Sequence, residues 1–444
     1  MKSRIGFTFL LLAICRLEAY IRVPGLDGKA LTEFLHSNSG GNGGALSMYN
    51  LFTGGALENC AVGALGIMPY ISATIVLQLL TAVVGSLSKM AREEGGRVKI
   101  IKYGRYLTVL LCAGQGLFTA YGWEHINGFN GQLVLSDNIW WYRIQTTIVL
   151  TTGTLLLMWL GEQITDRGIG NGISLIITIG ILARLPAAIR SLGDMFFPPA
   201  GIERQYNLGH AVALLLLLAA VVAGVIAVTQ AERKIPVQYA QRAVGRKMYS
   251  GGTSFLPLRL NFAGVMPIIF AQAILMVPQQ MFSKIGAAVP ALKFLSRIGA
   301  LLTERSMVYI IIYSLMILFF SYFWTATQFN ELQISDDLKK NGGYVPGVRP
   351  GQATSNYLHN AMSRITLAGA VFLTVIAVIP IFLASWMHIP IAVSTFFGGT
   401  SMLILVGVLL DTMRQMESHL MMRHYDGFLK GKRGGGGSRL RGRF

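Results

Sequence analysis

The run GALGIMPYISATIVLQLL, Gly63 to Leu80, carries no charged residue. A hydrocarbon core of about 30 Å takes roughly 20 apolar residues in a helix rising 1.5 Å per residue, so this run and its flanks read as a membrane span over 61–85. What precedes it is odd. Glycine and proline crowd the entrance, and the half-apolar LSMYNLFTGGALENC, Leu46 to Cys60, is too short to cross. The half-helix Leu46–Glu58 reaches only about 20 Å. Broken segments at membrane depth are tolerated inside protein or beside a water-filled cavity. Asn50, Glu58 and Asn59 are costly against lipid and favour the cavity; a short helix on the membrane surface is the alternative these residues leave open.

The rest of the chain fits a membrane protein. Its 444 residues are 53% hydrophobic and 13% charged, with a mean hydropathy of +0.53, against about a quarter charged in soluble domains. The same length test gives about ten spans, near 5–22, 61–85, 104–122, 144–161, 171–189, 208–229, 263–282, 307–326, 365–386 and 392–412. No alternating strand pattern is present, so helices satisfy the backbone in lipid. The fold class is an all-α integral membrane protein. Ten spans divide into five plus five, residues 1–190 and 191–413, with a basic tail over 414–444. Such halves often flank a central pathway, although no sequence identity links them here.

A net charge of +18 could mean nucleic acid, but its placement argues for topology. Alternate loops carry about 27 Lys and Arg on the N-terminal side and about 10 opposite, with Arg16 inside the first span. That bias puts both termini and the long basic loops in the cytoplasm. The remaining excess, over 232–259 and 414–444, suits an anionic partner. Cys15, Cys60 and Cys112 are too few and scattered for a disulfide framework or a metal site. The start MKSRIGFTFLLLAIC mimics a signal peptide, but no small-x-small site follows, so it reads as an uncleaved span.

Several chemistries are missing. There is no GxxxxGK[ST] phosphate loop and no HExxH pair, and none of the seven histidines lies mid-span. No nucleotide hydrolysis or proteolysis is expected, nor any cofactor. Glu18, Glu162 and Asp411 lie towards span ends, whereas ion-coupled transporters usually bury a carboxylate near the midplane. Two cytoplasmic loops, 232–261 and 330–360, exceed the usual connection length. In the second, the turn VPGVRPG (345–351) holds Arg349 stiffly at a tip. Taken alone, Arg349 also suits an ordinary topology-setting cation.

Five blocks then carry a resemblance: NLFTGGALENCAVGALGIMPYISATIVLQLL, MWLGEQITDRGIGNGISL (158–175), LPLRLNFAGVMPIIFA (256–271), GYVPGVRPGQAT (343–354) and FFGGTSMLILVGVLLD (396–411). In this order they resemble the SecY family, the large subunit of the bacterial protein-conducting translocon. The likeness runs from RVPGLDG (22–28) to about Leu420; a short N-terminus, a Gly-rich insert at 39–44 and the basic glycine tail depart from it.

The resemblance implies two five-helix halves forming an hourglass, with a short plug helix in the outer funnel. Matched motif to motif, the plug falls at about Leu46–Cys60, including Asn50, Phe52, Gly54, Gly55, Leu57 and Glu58. The waist falls on Ile67, Ile71, Ile173, Ile177, Ile269 and Ile404. Two of these pairs are spaced i, i+4, so each pair shares a helical face; singly, each isoleucine suits lipid or core equally well. A side exit between the second and seventh spans places Ser72, Ile75 and Gln78 opposite Asn261, Met266 and Val277, with Gln115 nearby.

Arg242, Arg246, Lys247 and Arg349 become candidates for docking a ribosome or the SecA ATPase. Family also implies SecE-like and SecG-like small subunits, and nascent secretory and membrane proteins as cargo; between a bacterial plasma membrane and a plastid membrane, the lack of a transit-peptide pattern favours the first. The expected function is a passive, gated polypeptide channel that also releases apolar segments into lipid. An inverted-repeat solute transporter and a purely structural scaffold are the rivals.

Overall fold

In the computed structural model the described residues are 2–27, 53–93, 95–124, 134–135, 138–197, 206, 208–239, 242–244, 247–249, 252–288, 293–303, 306–386, 393 and 400–433. The first half holds α1 (Lys2–Glu18), α2 (Met68–Val83), α3 (Gly85–Arg92), α4 (Gly96–Glu124), α5 (Ile139–Arg167), α6 (Gly172–Ala183) and α7 (Leu185–Phe196). A 3₁₀ turn, Val62–Leu65, precedes α2. After α8 (Leu208–Gln230) come strands β1 (Glu232–Tyr239), β2 (Arg242–Val244), β3 (Lys247–Tyr249) and β4 (Thr253–Arg259). The second half continues with α9 (Met266–Ala288), α10 (Lys293–Leu301), α11 (Met307–Gln328), α12 (Glu331–Lys340), β5 (Gly343–Tyr344), α13 (Gln352–Trp386) and α14 (Thr400–Arg433).

Six helical stretches among the described residues are long and apolar enough to cross a membrane: Val62–Val83, Ile139–Arg167, Gly172–Gly193, Gly209–Gln230, Met307–Lys340 and Gln352–Ile379. The other four expected spans fall on α1, α4, α9 and α14. Local chemistry sets several starts. Asn138 accepts from the Trp140 and Trp141 amides to cap α5, and Asn171 from Ile173 and Ser174 to cap α6. Ser306 and Asn330 cap α11 and α12 in the same way, each side chain satisfying a donor the first turn leaves free. Arg184, with Pro186 two residues on, separates α6 from α7.

The main contacts sort the helices. α1, α2, α4, α5 and α6 touch one another, as do α8, α9, α11, α13 and α14. Among the described residues the main seams between the sets are α2 against α9 and α6 against α14. Lipid offers no hydrophobic drive between helices, so close approach at small residues matters. Gly172 rides against the Gly161 carbonyl, and Gly153 leaves room for the Val62 carbonyl and the Glu18 carboxylate.

The two long loops, 232–261 and 330–360, whose length suggests a binding role or disorder, carry strands. β1 pairs antiparallel with β4 on one edge and with β5 on the other, in the order β4-β1-β5, and β2 pairs with β3. Gln238 stands opposite Tyr344, and the Tyr344 hydroxyl donates to Gln238 Oε1 at 2.9 Å. Ile235, Leu258, Phe329, Val345, Leu358 and Ile365 bury together beneath this sheet. The fold in the membrane is helical; the sheet lies in the connections.

Candidate functional site

Four elements carry the six isoleucines. Gly66, at φ +58°, turns the chain from the 3₁₀ segment into α2, a conformation that favours glycine. Ile67 is the N-cap of α2 and Ile71 lies in its first turn. Ile173 and Ile177 are on α6, Ile269 on α9 and Ile404 on α14. Ile67, Ile71, Ile177, Ile269 and Ile404 are all at most 3% exposed and belong to one apolar cluster, with half-buried Ile173 packed against it. No titratable side chain is among these six, and branched aliphatics hold no fixed polar contact.

Of the expected plug, 46–60, the described residues 53–60 pass close to Ile67 and Gly180. Asn50 and Phe52 lie outside the described residues. Residues 53–60, expected as part of a half-helix, form successive turns instead. The cause is local: Gly54 and Gly55 take φ of +64° and +91°, and Cys60 takes +48°. Thr53 packs on Gly66, next to Ile67, and Gly54 packs on Gly180 of α6. Leu57 is buried with Val23, Leu65 and Leu150. Glu58 pairs with Arg184 (Nη2 to Oε1, 2.7 Å). Arg16 Nη1 donates to the Gly54 carbonyl at 2.6 Å. A cavity of about 40 Å³ remains beneath, lined by Glu18, Thr53, Gly66, Ile67, Ile176 and Gly180 among others. The Cys60 thiol is pushed up to about 12, chiefly by burial.

The expected side exit lies along the α2–α9 seam. Ile75 is buried, Ser72 half-buried, and the Oε1 of half-buried Gln78 is sealed from water without a hydrogen-bond partner. Met266 packs on the main cluster. Asn261 instead donates to the Gly264 carbonyl at 2.9 Å, closing its own turn before α9. Gln115, on α4, is half-buried and its carbonyl accepts from Thr119. Val277 lies on α9, its side chain outside the described ones. Sequence reasoning missed Gln272, a buried amide on α9. The signal was there: a lone glutamine in the apolar run IIFAQAILM.

Of the docking candidates, Arg242 opens β2 and Lys247 opens β3, and Arg246 is outside the described residues. Arg349 is exposed at its turn, with Gly347 and Gly351 at φ +82° and +101°. The Thr354 hydroxyl donates to its carbonyl at 2.9 Å.

A model of the SecY family matches residues 61–413. The chain belongs to the SecY family. Protein translocase subunit SecY of Chlamydia trachomatis is 42% identical to it over 444 residues, covering 97% of this chain and 96% of that one. A solved protein-conducting channel aligns with a TM-score of 0.61 at 16% identity, covering 94% of this chain and 91% of its own. A SecY channel whose plug domain is described as stabilising the closed state and maintaining a membrane seal aligns at 0.57, with 18% identity and the same coverage. Sec61 from a canine ribosome-channel complex aligns at 0.56, with 16% identity and the same coverage again. At these identities the structures share a fold with the chain; membership in the SecY family rests on the sequence matches.

Proposed function

We propose that this chain is the pore-forming subunit of a protein translocase, passing unfolded polypeptides through a central constriction and releasing apolar segments sideways into lipid. One observation supports the reading: five of the six isoleucines, from α2, α6, α9 and α14, are buried in the main apolar cluster of the helices, Ile173 packs against it, and residues 53–56 lie close to Ile67 and Gly180. A charged residue costs roughly 2.5–3.5 kcal/mol at a helix centre in lipid, so a secreted segment needs a wet path. At rest that path must exclude ions, which a narrow apolar ring does by dewetting.

In this reading residues 1–190 and 191–413 are the two halves, the α2–α9 seam is the side exit, and the α6–α14 seam is the closed side. Polar side chains along a seam contribute about 0.6–2 kcal/mol each, enough to hold it shut and weak enough to release it. The chain holds no nucleotide-binding loop, so a ribosome or a SecA-like ATPase drives transport from the sheet-bearing cytoplasmic side. The solved Sec61 relative in a ribosome complex supports the first of these. SecE-like and SecG-like subunits complete the assembly in a bacterial plasma membrane, both termini cytoplasmic. The test is site-specific crosslinking: a secretory chain stalled in transit should crosslink to probes at Ile71 and Ile177 and not to probes on the lipid face at Leu215. Equal labelling of all three would refute the central path.

A further inference from the structure

We infer that two arginine clasps hold the plug in its seat, Arg184 on the Glu58 carboxylate and Arg16 on the Gly54 carbonyl, and that they set how often the idle channel opens. The inference rests on reading residues 53–60 as the plug.

The two contacts grip the segment at separate points and from separate walls. Arg184 stands at the break between α6 and α7; Arg16 lies in the last turn of α1. The Arg184–Glu58 side chains are only 20% and 24% exposed. Such a pair is stronger than a surface pair, yet water still reaches it, so it can part and re-form. Arg16 is already oriented: its Nη2 donates to Tyr20 at 3.1 Å, and its guanidinium lies 4.8 Å from that ring's centroid. The Gly54 carbonyl reaches it because the chain turns there at φ +64°.

Two further observations favour a holding role. Apolar burial holds the segment as well, with Ala56, Leu57 and Cys60 buried and Gly54 on Gly180, and the two arginines add directed side-chain contacts to it. The collar itself offers isoleucines without polar handles. Both arginines also lie at the outer ends of spans, the side on which this chain otherwise keeps few cations. Cations run against the topology bias there, and an acceptor on the segment gives each a reason to stay.

The experiment compares idle channels of the full-length chain, with its partner subunits, in planar bilayers. Glu58→Gln and Arg184→Gln should each raise resting conductance roughly three- to tenfold, the range for losing a half-buried ion pair. The double reversal Glu58→Arg with Arg184→Glu should return to within about twofold of the parent, because it restores the pair with its sign inverted. Arg16→Gln should add to either single change, since it acts at a different contact. Resting conductance unchanged in the single variants, or a reversal as leaky as they are, would overturn the clasp. Ile404→Asn in the same bilayers separates this from the channel reading. If that variant conducts and the clasp variants stay silent, the clasp alone fails; if no variant conducts, both fail. Should Arg184→Gln not assemble, Glu58→Gln and Glu58→Asp carry the test, the shorter acid being expected to leak less than the amide and an equal leak counting against it.

Discussion

At the residue scale, the proposed collar rests on what isoleucine lacks. Ile404 is fully buried on α14, amid the cluster that includes Ile67, Ile71 and Ile269, and its side chain offers passing water no hydrogen bond. Asparagine has the same number of side-chain heavy atoms but brings two donors and an acceptor, enough to stabilise water in a dewetted constriction. Ile404→Asn or Ile269→Asn should therefore raise resting conductance about tenfold or more, measured with no cargo present; a sealed variant would count against the collar. Cys60 offers a second readout. Its thiol is wholly buried and pushed up to about 12, and thiolate is the reactive form. With the plug seated, maleimide labelling at neutral pH should be slow, and it should speed up in any variant that unseats the plug. The sign of the pH effect follows. Below about 8.5 both states keep the proton. Above it the unseated thiol ionises first, so seating weakens as pH climbs towards the buried value. These residues differ in how well sequence shows them. The i, i+4 spacing of Ile67/Ile71 and Ile173/Ile177 is enough by itself to put each pair on one helical face. Glu18 gives no such signal. It reads as an acid at a span end, and only the fold brings Gly63 and Gly153, far along the chain, to make room for its carboxylate.

Among the elements, membrane helices are legible in their apolar middles and not at their ends. α4 begins at Gly96 and α13 at Gln352, several residues before the expected spans at 104 and 365, while α14 runs on to Arg433. Hydropathy registers only the lipid-matched part of a helix, and the polar turns beyond it are helical without being apolar. The expected plug helix fails differently over 53–60. Length and polarity mark a broken segment there, but they do not register the positive φ that Gly54 and Gly55 adopt. Two consecutive left-handed residues cannot continue a helix. Helix contact, by comparison, depends on residues whose importance lies in what they omit. A Cβ on Gly153 of α5 would sit 2.6 Å from Glu18 Oε1 and 2.8 Å from Val62 Cγ1, tighter than real contacts allow. Gly153→Ala should push α5 away from α1 and the 3₁₀ turn, costing about 1–3 kcal/mol. The check is the midpoint of thermal unfolding in detergent, compared with Gly114→Ala on α4, where the added methyl meets open space. Equal midpoints for the two variants would mean that the packing there is loose.

On the scale of the whole molecule, the long loops between spans are the part sequence conceals most. Loops 232–261 and 330–360 look independent in the chain, yet β1 is flanked by β4 from one and β5 from the other. Strand pairing across about a hundred residues leaves no local mark, and the short β5 shows no alternation to find. The result is a single platform: sheet, α12 and the base of α13 share one buried cluster that includes Ile235, Leu258, Val345 and Leu358. That platform gives Arg349 its significance. Val345 is buried and Val348 packs on the same cluster, while Thr354 ties down the Arg349 carbonyl. The Arg349 side chain is left to solvent, on a turn that cannot easily yield. A cation displayed in this way is well placed to meet an anionic driver, and because its side chain is exposed, reversing it should alter stability by no more than about 0.5 kcal/mol. Arg349→Glu should therefore leave the unfolding midpoint and the resting conductance at parental values, yet lower motor-driven export of a secretory precursor into vesicles by about tenfold, a loss of some 1.4 kcal/mol in productive docking. Export at the parental rate would move the docking surface elsewhere on the platform. A fall in the unfolding midpoint would instead mean that Arg349 supports the turn, so the two roles separate in one pair of measurements.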